Sequence, residues 1–75
     1  MPTLADLSTG NLATVTDVTV NDPASHRLLE LGVTPGVRLR VVGTAPLGDP
    51  LEIELRGYRL SVRRSEAAVV EVSLS

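Results

Sequence analysis

His26 and Glu30 are the one pair of side chains in this sequence that could share metal or proton chemistry on a single helix face, because they lie four residues apart. A zinc site needs three or four convergent His, Cys or carboxylate ligands, and the chain contains one His and no Cys. A catalytic Ser or Thr needs a base beside its hydroxyl, and the single His is predicted to lie on an exposed helix. We therefore expect a solvated helix face, with no metal site, no cofactor and no catalytic residue, and interpret the protein as a non-enzyme.

The charged residues exclude further classes of site. All seven basic residues are Arg, so the sequence lacks the Lys that a phosphate-binding P-loop or a Schiff base requires. Nine acidic residues bring the formal net charge to −2 at pH 7, whereas nucleic-acid binders carry a positive surface. We therefore expect no nucleic-acid partner.

The length of the chain, 75 residues, allows one small domain. It contains no Phe or Trp and one Tyr, so its core must be packed from Val, Leu, Ile and Ala. No apolar run approaches the roughly 20 residues that cross a bilayer, and the N-terminus resembles neither a signal peptide nor a lipidation motif. We expect a cytoplasmic protein that is not itself inserted in a membrane.

One short helix is predicted over residues 23–31, between two boundary signals. Asp22 suits the N-cap position, where its side chain can accept a backbone hydrogen bond. Gly32 suits the left-handed position that follows a helix in a Schellman ending. The i, i+3 spacing of Leu28 and Leu31 predicts that both are buried in the core.

Alternation of apolar and polar residues predicts strands over residues 12–20, 37–41, 51–55, 58–63 and 69–74. The apolar positions of the first strand change parity near Asp17, which predicts a bulge there. Arg56-Gly57 fits a two-residue hairpin loop, and residues 66–68 are predicted to form a turn. About five strands and one short helix in so small a domain favour a mainly β fold, a small and strongly bent barrel.

The charges of the middle strands are predicted to pair across the sheet, with Arg40 opposite Glu52 and Arg38 opposite Glu54. Such pairs between exposed side chains contribute little to stability. We interpret these arginines as part of a solvated charged face.

Several short stretches, taken in order, resemble the FeoA family. They are Leu4, Leu7 and Gly10, then Arg27-Leu28-Leu29-Glu30-Leu31-Gly32, Pro35-Gly36, Gly48-Asp49-Pro50-Leu51, and Arg64-x-Glu66-Ala67. The resemblance spans the whole chain and implies an SH3-like β-barrel. It also implies an accessory and regulatory protein of ferrous-iron uptake that binds the cytoplasmic side of FeoB, the membrane transporter with a G-protein domain, and modulates it. Similar domains are fused to iron-dependent repressors, and because no DNA-binding helices precede this one we expect the free-standing form.

Two surfaces are candidates for binding that partner. One is the helix, with His26, Arg27 and Glu30 exposed. The other is the loop of residues 44–50, with Pro46 and Leu47 at its tip and Asp49 in a turn. Recognition residues are often carried on loops of a rigid scaffold, and we predict that Leu47 is an apolar anchor.

Three alternatives remain open. Arg27 or Arg64 could enter a nucleotide site of the partner as an arginine finger. A nucleic-acid-binding barrel would use the arginines clustered at Arg56, Arg59, Arg63 and Arg64, although the acidic net charge and the lack of stacking aromatics argue against it. A self-associating scaffold could pair through exposed strand edges.

Overall fold

The computed structural model describes residues 2–75 and contains five strands and two helices. In chain order the elements are a 3-10 turn at Leu4–Asp6, β1 Leu12–Val18, α1 Pro23–Glu30, β2 Arg38–Thr44, β3 Leu51–Leu55, β4 Tyr58–Val62, α2 Arg64–Ala67 and β5 Val70–Leu74. The predicted mainly β fold of about five strands is confirmed. Where a turn was predicted at residues 66–68, the chain forms the short helix α2 instead.

The five strands form one antiparallel sheet in the order β4-β3-β2-β1-β5. One flat sheet forms a layer only about 10 Å thick. The described residues span 28 × 25 × 24 Å, so their smallest dimension is much greater than one layer. The sheet therefore curls around its core. The outer edge of β5 is covered by the N-terminal segment, because the Val72 N–H donates to the Pro2 carbonyl at 3.1 Å. Within residues 2–75, no strand pairs with the outer edge of β4.

The core lies inside this curled sheet and consists of aliphatic side chains. Each strand contributes alternate positions: Leu51, Ile53 and Leu55 of β3 are almost completely buried, and Glu52 and Glu54 between them are exposed. Leu4 and Leu7, which precede β1, are buried in the same core. Alternation with a period of two therefore predicts the buried face of the strands correctly.

Two irregular backbone features agree with the sequence. The β1–β5 register shifts between Val15 and Asp17, so the predicted bulge is confirmed. The predicted hairpin loop is also confirmed, since Leu55 pairs with Tyr58 on either side of it. Arg56 and Gly57 both have positive φ, +50° and +83°, as the type I′ turn requires.

The boundaries of α1 follow from its capping residues. Asp22 accepts a hydrogen bond from the Ser25 N–H at 2.8 Å, which satisfies a backbone donor at the start of the helix. Gly32 has φ +104°, and the Val33 N–H reaches back to the Leu28 carbonyl at 3.0 Å. This is the predicted Schellman ending.

The predicted burial of Leu31 is wrong. Its side chain is 37% exposed, whereas Ser25 and Leu28 are 1% exposed and Leu29 packs partly against the core. At about 100° per residue, positions 25, 28 and 29 share one face and position 31 lies to its side. The helix is rotated towards Ser25, whose hydroxyl donates to Asp22 Oδ1 at 2.9 Å in the cap.

The predicted pairing of charges between β2 and β3 is also wrong. A register shift between Val41 and Gly43 places Gly43 opposite Glu52 and Arg40 opposite Glu54. Arg38 lies beyond the last described β2–β3 pair and faces Thr14 of β1. The alternation of β2 contains no signal for this register, because an offset of two residues leaves every side chain on the same face of the sheet.

Candidate partner-binding surface

The tip of the loop at residues 45–50 carries Leu47, whose side chain is 97% exposed. The Gly48 N–H donates to the Ala45 carbonyl at 2.7 Å, which makes a β-turn with Pro46 and Leu47 as its central residues. Pro at the first central position and Gly at the fourth position of the turn fit this geometry. The structure thus places Pro46 and Leu47 together at the loop tip, as predicted.

Arg64 of α2 holds this loop in place. Its Nε donates to the Gly48 carbonyl at 2.6 Å, and its Nη1 donates to the Ala5 carbonyl at 2.8 Å. The Arg64 backbone N–H donates to Asp49 Oδ1 at 3.0 Å. Because a charged donor strengthens such bonds, the loop is tied both to α2 and to the N-terminal turn.

These bonds change the interpretation of two predicted residues. The Asp49 side chain lies in the loop support and accepts from Arg64, so its role in this structure is to shape the loop rather than to extend from it. The Arg64 guanidinium, a candidate arginine finger, is directed at backbone carbonyls of its own chain. In the sequence, Arg64 stood out only as part of the Arg64-x-Glu66-Ala67 motif. Its contact with a loop 15 residues earlier could not be deduced from the spacing of residues.

Two side-chain pairs lie on the surface of α1. His26 Nδ1 and Glu30 Oε1 are 2.8 Å apart with side chains 64% and 67% exposed, the solvated arrangement that was predicted. Arg27 Nη2 instead reaches Glu66 Oε2 of α2 at 3.2 Å, and the Glu66 side chain is only 8% exposed. A buried carboxylate needs such a partner, so Arg27 is engaged in joining α1 to α2.

Glu66 receives a second hydrogen bond within α2. Its Oε1 accepts from the Arg63 N–H at 3.0 Å, which caps the start of this short helix. The carboxylate therefore has both oxygens occupied. Sequence reasoning missed Glu66 as the centre of this contact.

The two predicted surfaces meet at a cleft. Arg27 from the helix and Asp49 and Pro50 from the loop line it together with Ser61 of β4. His26 and Glu30 do not line this cleft and lie on the solvent side of α1. The structure thus brings one helix residue next to the loop and leaves the other two apart.

Among residues 2–75, no group of three or more His, Cys, Asp or Glu side chains is placed to hold a metal ion. The described helices are also too short to span a membrane. What the geometry offers is a supported apolar loop tip beside a polar cleft.

Comparison with known proteins gives the same fold throughout. The FeoA domain family matches residues 3–74. The solution structure of FeoA from Chlorobium tepidum superimposes with a TM-score of 0.88 at 38% identity, covering 97% of this chain and 70% of that one. A FeoA from Stenotrophomonas maltophilia, described as a procaryotic SH3 domain protein complexed with zinc, has a TM-score of 0.85 and 35% identity, over 97% of this chain and 91% of that one.

A much longer relative is an Fe(2+) transport protein A/Fe(2+) transporter FeoB fusion protein from Porphyromonas gingivalis. It is 38% identical over 71 residues, which are 95% of this chain and 8% of the fusion protein. The chain thus spans a small part of that relative. Together these matches confirm the predicted SH3-like barrel, and the chain belongs to the FeoA domain family.

Proposed function

We propose that this protein is a non-catalytic accessory component of ferrous-iron uptake that binds the cytoplasmic side of a FeoB-type transporter and modulates it. The fusion protein of Porphyromonas gingivalis is the observation that carries the proposal, because one polypeptide there joins a FeoA segment to FeoB. Covalent linkage keeps two modules at a high effective concentration. Such linkage is useful when the two modules work together.

We infer further that the loop tip is the contact. Leu47 is 97% exposed, and burying a whole leucine side chain stabilises a complex by about 1.5–3 kcal/mol. The bonds from Arg64 hold the loop before the partner arrives, so little conformational freedom is lost on binding. Pro46 restrains the same turn. Arg27 and the neighbouring cleft would then lie at the rim of the interface, and His26 and Glu30 further out.

The proposal is tested by iron uptake in a bacterial host that lacks its own ferrous-iron system and expresses the FeoB-type transporter from the same genome. We expect the rate of Fe²⁺ uptake to change when this protein is co-expressed. Leu47→Asp should abolish that change, because a charge at the tip cannot enter an apolar pocket. Leu74→Asp is the matched control, since Leu74 is also exposed, at 58%, but lies on β5. Equal uptake with and without the protein would overturn the proposal.

A further inference from the structure

Four arginines gather at the end of the sheet opposite the exposed loop, and we call them the arginine patch: Arg38, Arg40, Arg56 and Arg59. Arg38 and Arg40 lie on the exposed face of β2, with Leu39 buried between them. Arg56 lies in the β3–β4 turn, and Arg59 pairs with Glu54 across β3 and β4.

The patch surrounds a surface depression. Arg38, Arg40 and Arg56 line it, together with Glu54 and with three leucines that include Leu12 of β1. Among the described residues that line this depression, Glu54 is the only one with a carboxylate side chain. The depression therefore has a strongly basic rim.

The charges of this rim are not balanced within the described part of the chain. Arg59 Nε lies 3.7 Å from Glu54 Oε2. No carboxylate of residues 2–75 lies within 4.0 Å of the guanidinium groups of Arg38, Arg40 or Arg56. Four arginines and one glutamate leave three positive charges in excess, in a chain whose formal net charge is −2.

The register of β2 and β3 determines which of these charges face each other. The predicted register placed Arg40 opposite Glu52 and Arg38 opposite Glu54. In the structure Arg40 faces Glu54, two residues further along β3, and Glu52 faces Gly43. Arg38 faces Thr14 of β1 and lies beyond the last described β2–β3 pair.

We propose that the arginine patch binds an extended acidic segment of the partner protein, with carboxylates at alternate positions. This inference rests on the proposed function, since it specifies a second contact with the same partner. Arg38 and Arg40 are two residues apart on a strand, which separates them by about 6.8 Å. Carboxylates at i and i+2 of an extended segment have the same separation, and guanidinium groups bind carboxylates through two parallel hydrogen bonds.

The shape and composition of the surface favour this occupant over other anions. A narrow extended segment can enter a concave depression, whereas a flat lipid surface would meet only its rim. Binding of single-stranded nucleic acid relies on stacking of bases on aromatic side chains. The chain has one aromatic residue, Tyr58, and its hydroxyl is bonded to the Leu31 carbonyl at the end of α1, outside the residues that line the depression.

The patch and the exposed loop form separate contacts. Arg38 begins β2 and Thr44 ends it, just before the loop. Six residues at about 3.4 Å each place the two regions about 20 Å apart. Substitutions in one region can therefore be tested without changing the other.

The first experiment titrates the full chain with the capped peptide Gly-Glu-Val-Glu-Val-Glu-Gly and with its Gln counterpart, followed by NMR at 50 mM salt. We expect binding of the Glu peptide alone, with shifts at Arg38 and Arg40. Arg40→Gln should weaken it at least threefold. Arg63→Gln, which removes an exposed charge outside the patch, should change it less than 1.5-fold. Equal binding of both peptides, no binding of either, or equal effects of the two substitutions would overturn the inference.

Other anions are tested on the same variants. A 20-base-pair DNA duplex and vesicles of phosphatidylserine should bind more weakly than the Glu peptide at equal charge concentration. If either binds more tightly and loses affinity with Arg40→Gln, the patch has a different occupant and the inference fails. It fails also if sedimentation shows a dimer that Arg40→Gln dissociates, because a second copy then occupies the patch.

The last arm uses the full-length FeoB-type transporter and separates this inference from the proposed function. We expect Arg38→Gln/Arg40→Gln to weaken transporter binding at least fivefold with an unchanged melting temperature. If the transporter binds the wild type and the double variant equally, the proposed function stands and the patch inference fails. If the transporter binds neither protein, the proposed function fails, and so does the inference that the patch binds a segment of this partner. Binding of the Glu peptide would then show only that the surface attracts carboxylates.

Discussion

Arg64 is the residue on which the geometry of the exposed loop depends most. Three hydrogen bonds from it reach Ala5, Gly48 and Asp49, so one side chain and its own backbone N–H connect three segments that are distant in sequence. Leu47, by contrast, has almost its whole side chain in solvent. The residue that positions this loop is thus distinct from the residue that we propose as its contact with the partner.

Arg64→Ala removes both guanidinium bonds and keeps the backbone bond to Asp49. We expect it to lower the free energy of unfolding by about 1–3 kcal/mol, because hydrogen bonds that involve a charged group are among the stronger ones. It should also speed hydrogen exchange at the Gly48 N–H. Arg64→Lys keeps the charge but not the planar guanidinium group, so its stability should lie between that of the wild type and that of Arg64→Ala. Urea denaturation and exchange measured by NMR check this, and unchanged stability together with unchanged exchange would contradict the role given to Arg64.

Asp22 gives the protein a pH-dependent contribution to stability. Hydrogen bonds donated by the Ser25 backbone N–H and by the Ser25 hydroxyl hold the pKa of the Asp22 carboxyl below its ordinary value of 3.8. A carboxyl with a lowered folded-state pKa stabilises the fold above its unfolded pKa and loses that contribution as the pH falls through the folded pKa.

Asp22→Asn tests this contribution, because Asn is also a good N-cap but does not titrate. The wild type should exceed the variant in stability at pH 6, and the difference should shrink below about pH 4 as Asp22 becomes protonated. Urea denaturation of both proteins between pH 2 and pH 6 measures it. A difference that stays constant over this range would show that the charge of Asp22 does not contribute.

At the scale of elements, the end of α1 is fixed by its contact with the start of β4. Gly32 has φ +104°, and a Cβ added there would lie 2.5 Å from the Tyr58 hydroxyl oxygen. That hydroxyl donates to the Leu31 carbonyl. The helix end thus requires glycine both for its backbone conformation and for the approach of Tyr58.

Gly32→Ala should therefore destabilise the protein by at least about 1–2 kcal/mol from the backbone conformation alone, with a further loss from the clash. Tyr58→Phe removes the clashing oxygen, so Gly32→Ala should be less destabilising in that background. A double-mutant cycle from urea denaturation gives the coupling free energy. Additive effects would show that the two residues do not interact.

The rotation of α1 about its axis makes a second prediction for this element. Leu28 is 1% exposed and Leu31 is 37% exposed. Leu28→Ala should lower the free energy of unfolding by about 2–5 kcal/mol, and Leu31→Ala by less than about 1 kcal/mol. Thermal or urea denaturation of the two variants compares them directly, and equal losses would mean that Leu31 is buried after all.

The boundaries of helices and turns could be predicted because they depend on neighbouring residues. Features that depend on contacts between distant segments could not be predicted. Asp22, Gly32 and the Arg56-Gly57 turn each act within a few residues, so their effects could be deduced from the sequence. The rotation of α1 depends on burial of the Ser25 cap, and periodicity alone favoured Leu31. The β2–β3 register differs from the predicted one by two residues at Arg40, and alternation does not detect such an offset because each side chain stays on the same face of the sheet.

The candidate site could be predicted in part for the same reason. Proline and glycine around Leu47 mark a turn, so its exposure followed from sequence. The support of that turn by Arg64, and the pairing of Arg27 with Glu66 across 39 residues, require the folded chain. The arginine patch likewise depends on the observed pairing of the strands, in which Arg38 lies beyond the last described β2–β3 pair.

At the scale of the whole molecule, the two candidate contacts lie at opposite ends of the β2–β3 hairpin. The exposed loop presents an apolar tip, and the arginine patch presents unbalanced positive charge. An apolar anchor contributes affinity, and complementary charge contributes orientation and the rate of association. A small barrel with both is suited to hold one defined orientation on a larger partner.

The most direct test of our proposal is equilibrium binding of the fluorescently labelled chain to full-length FeoB-type transporter in detergent, without nucleotide, with GDP and with a GTP analogue. We predict saturable binding in at least one nucleotide state, competed by the unlabelled wild type and by Leu74→Asp but at least tenfold less well by Leu47→Asp. Absence of saturable binding in all three states would contradict the proposed association, and equal competition by Leu47→Asp would contradict the loop as its contact.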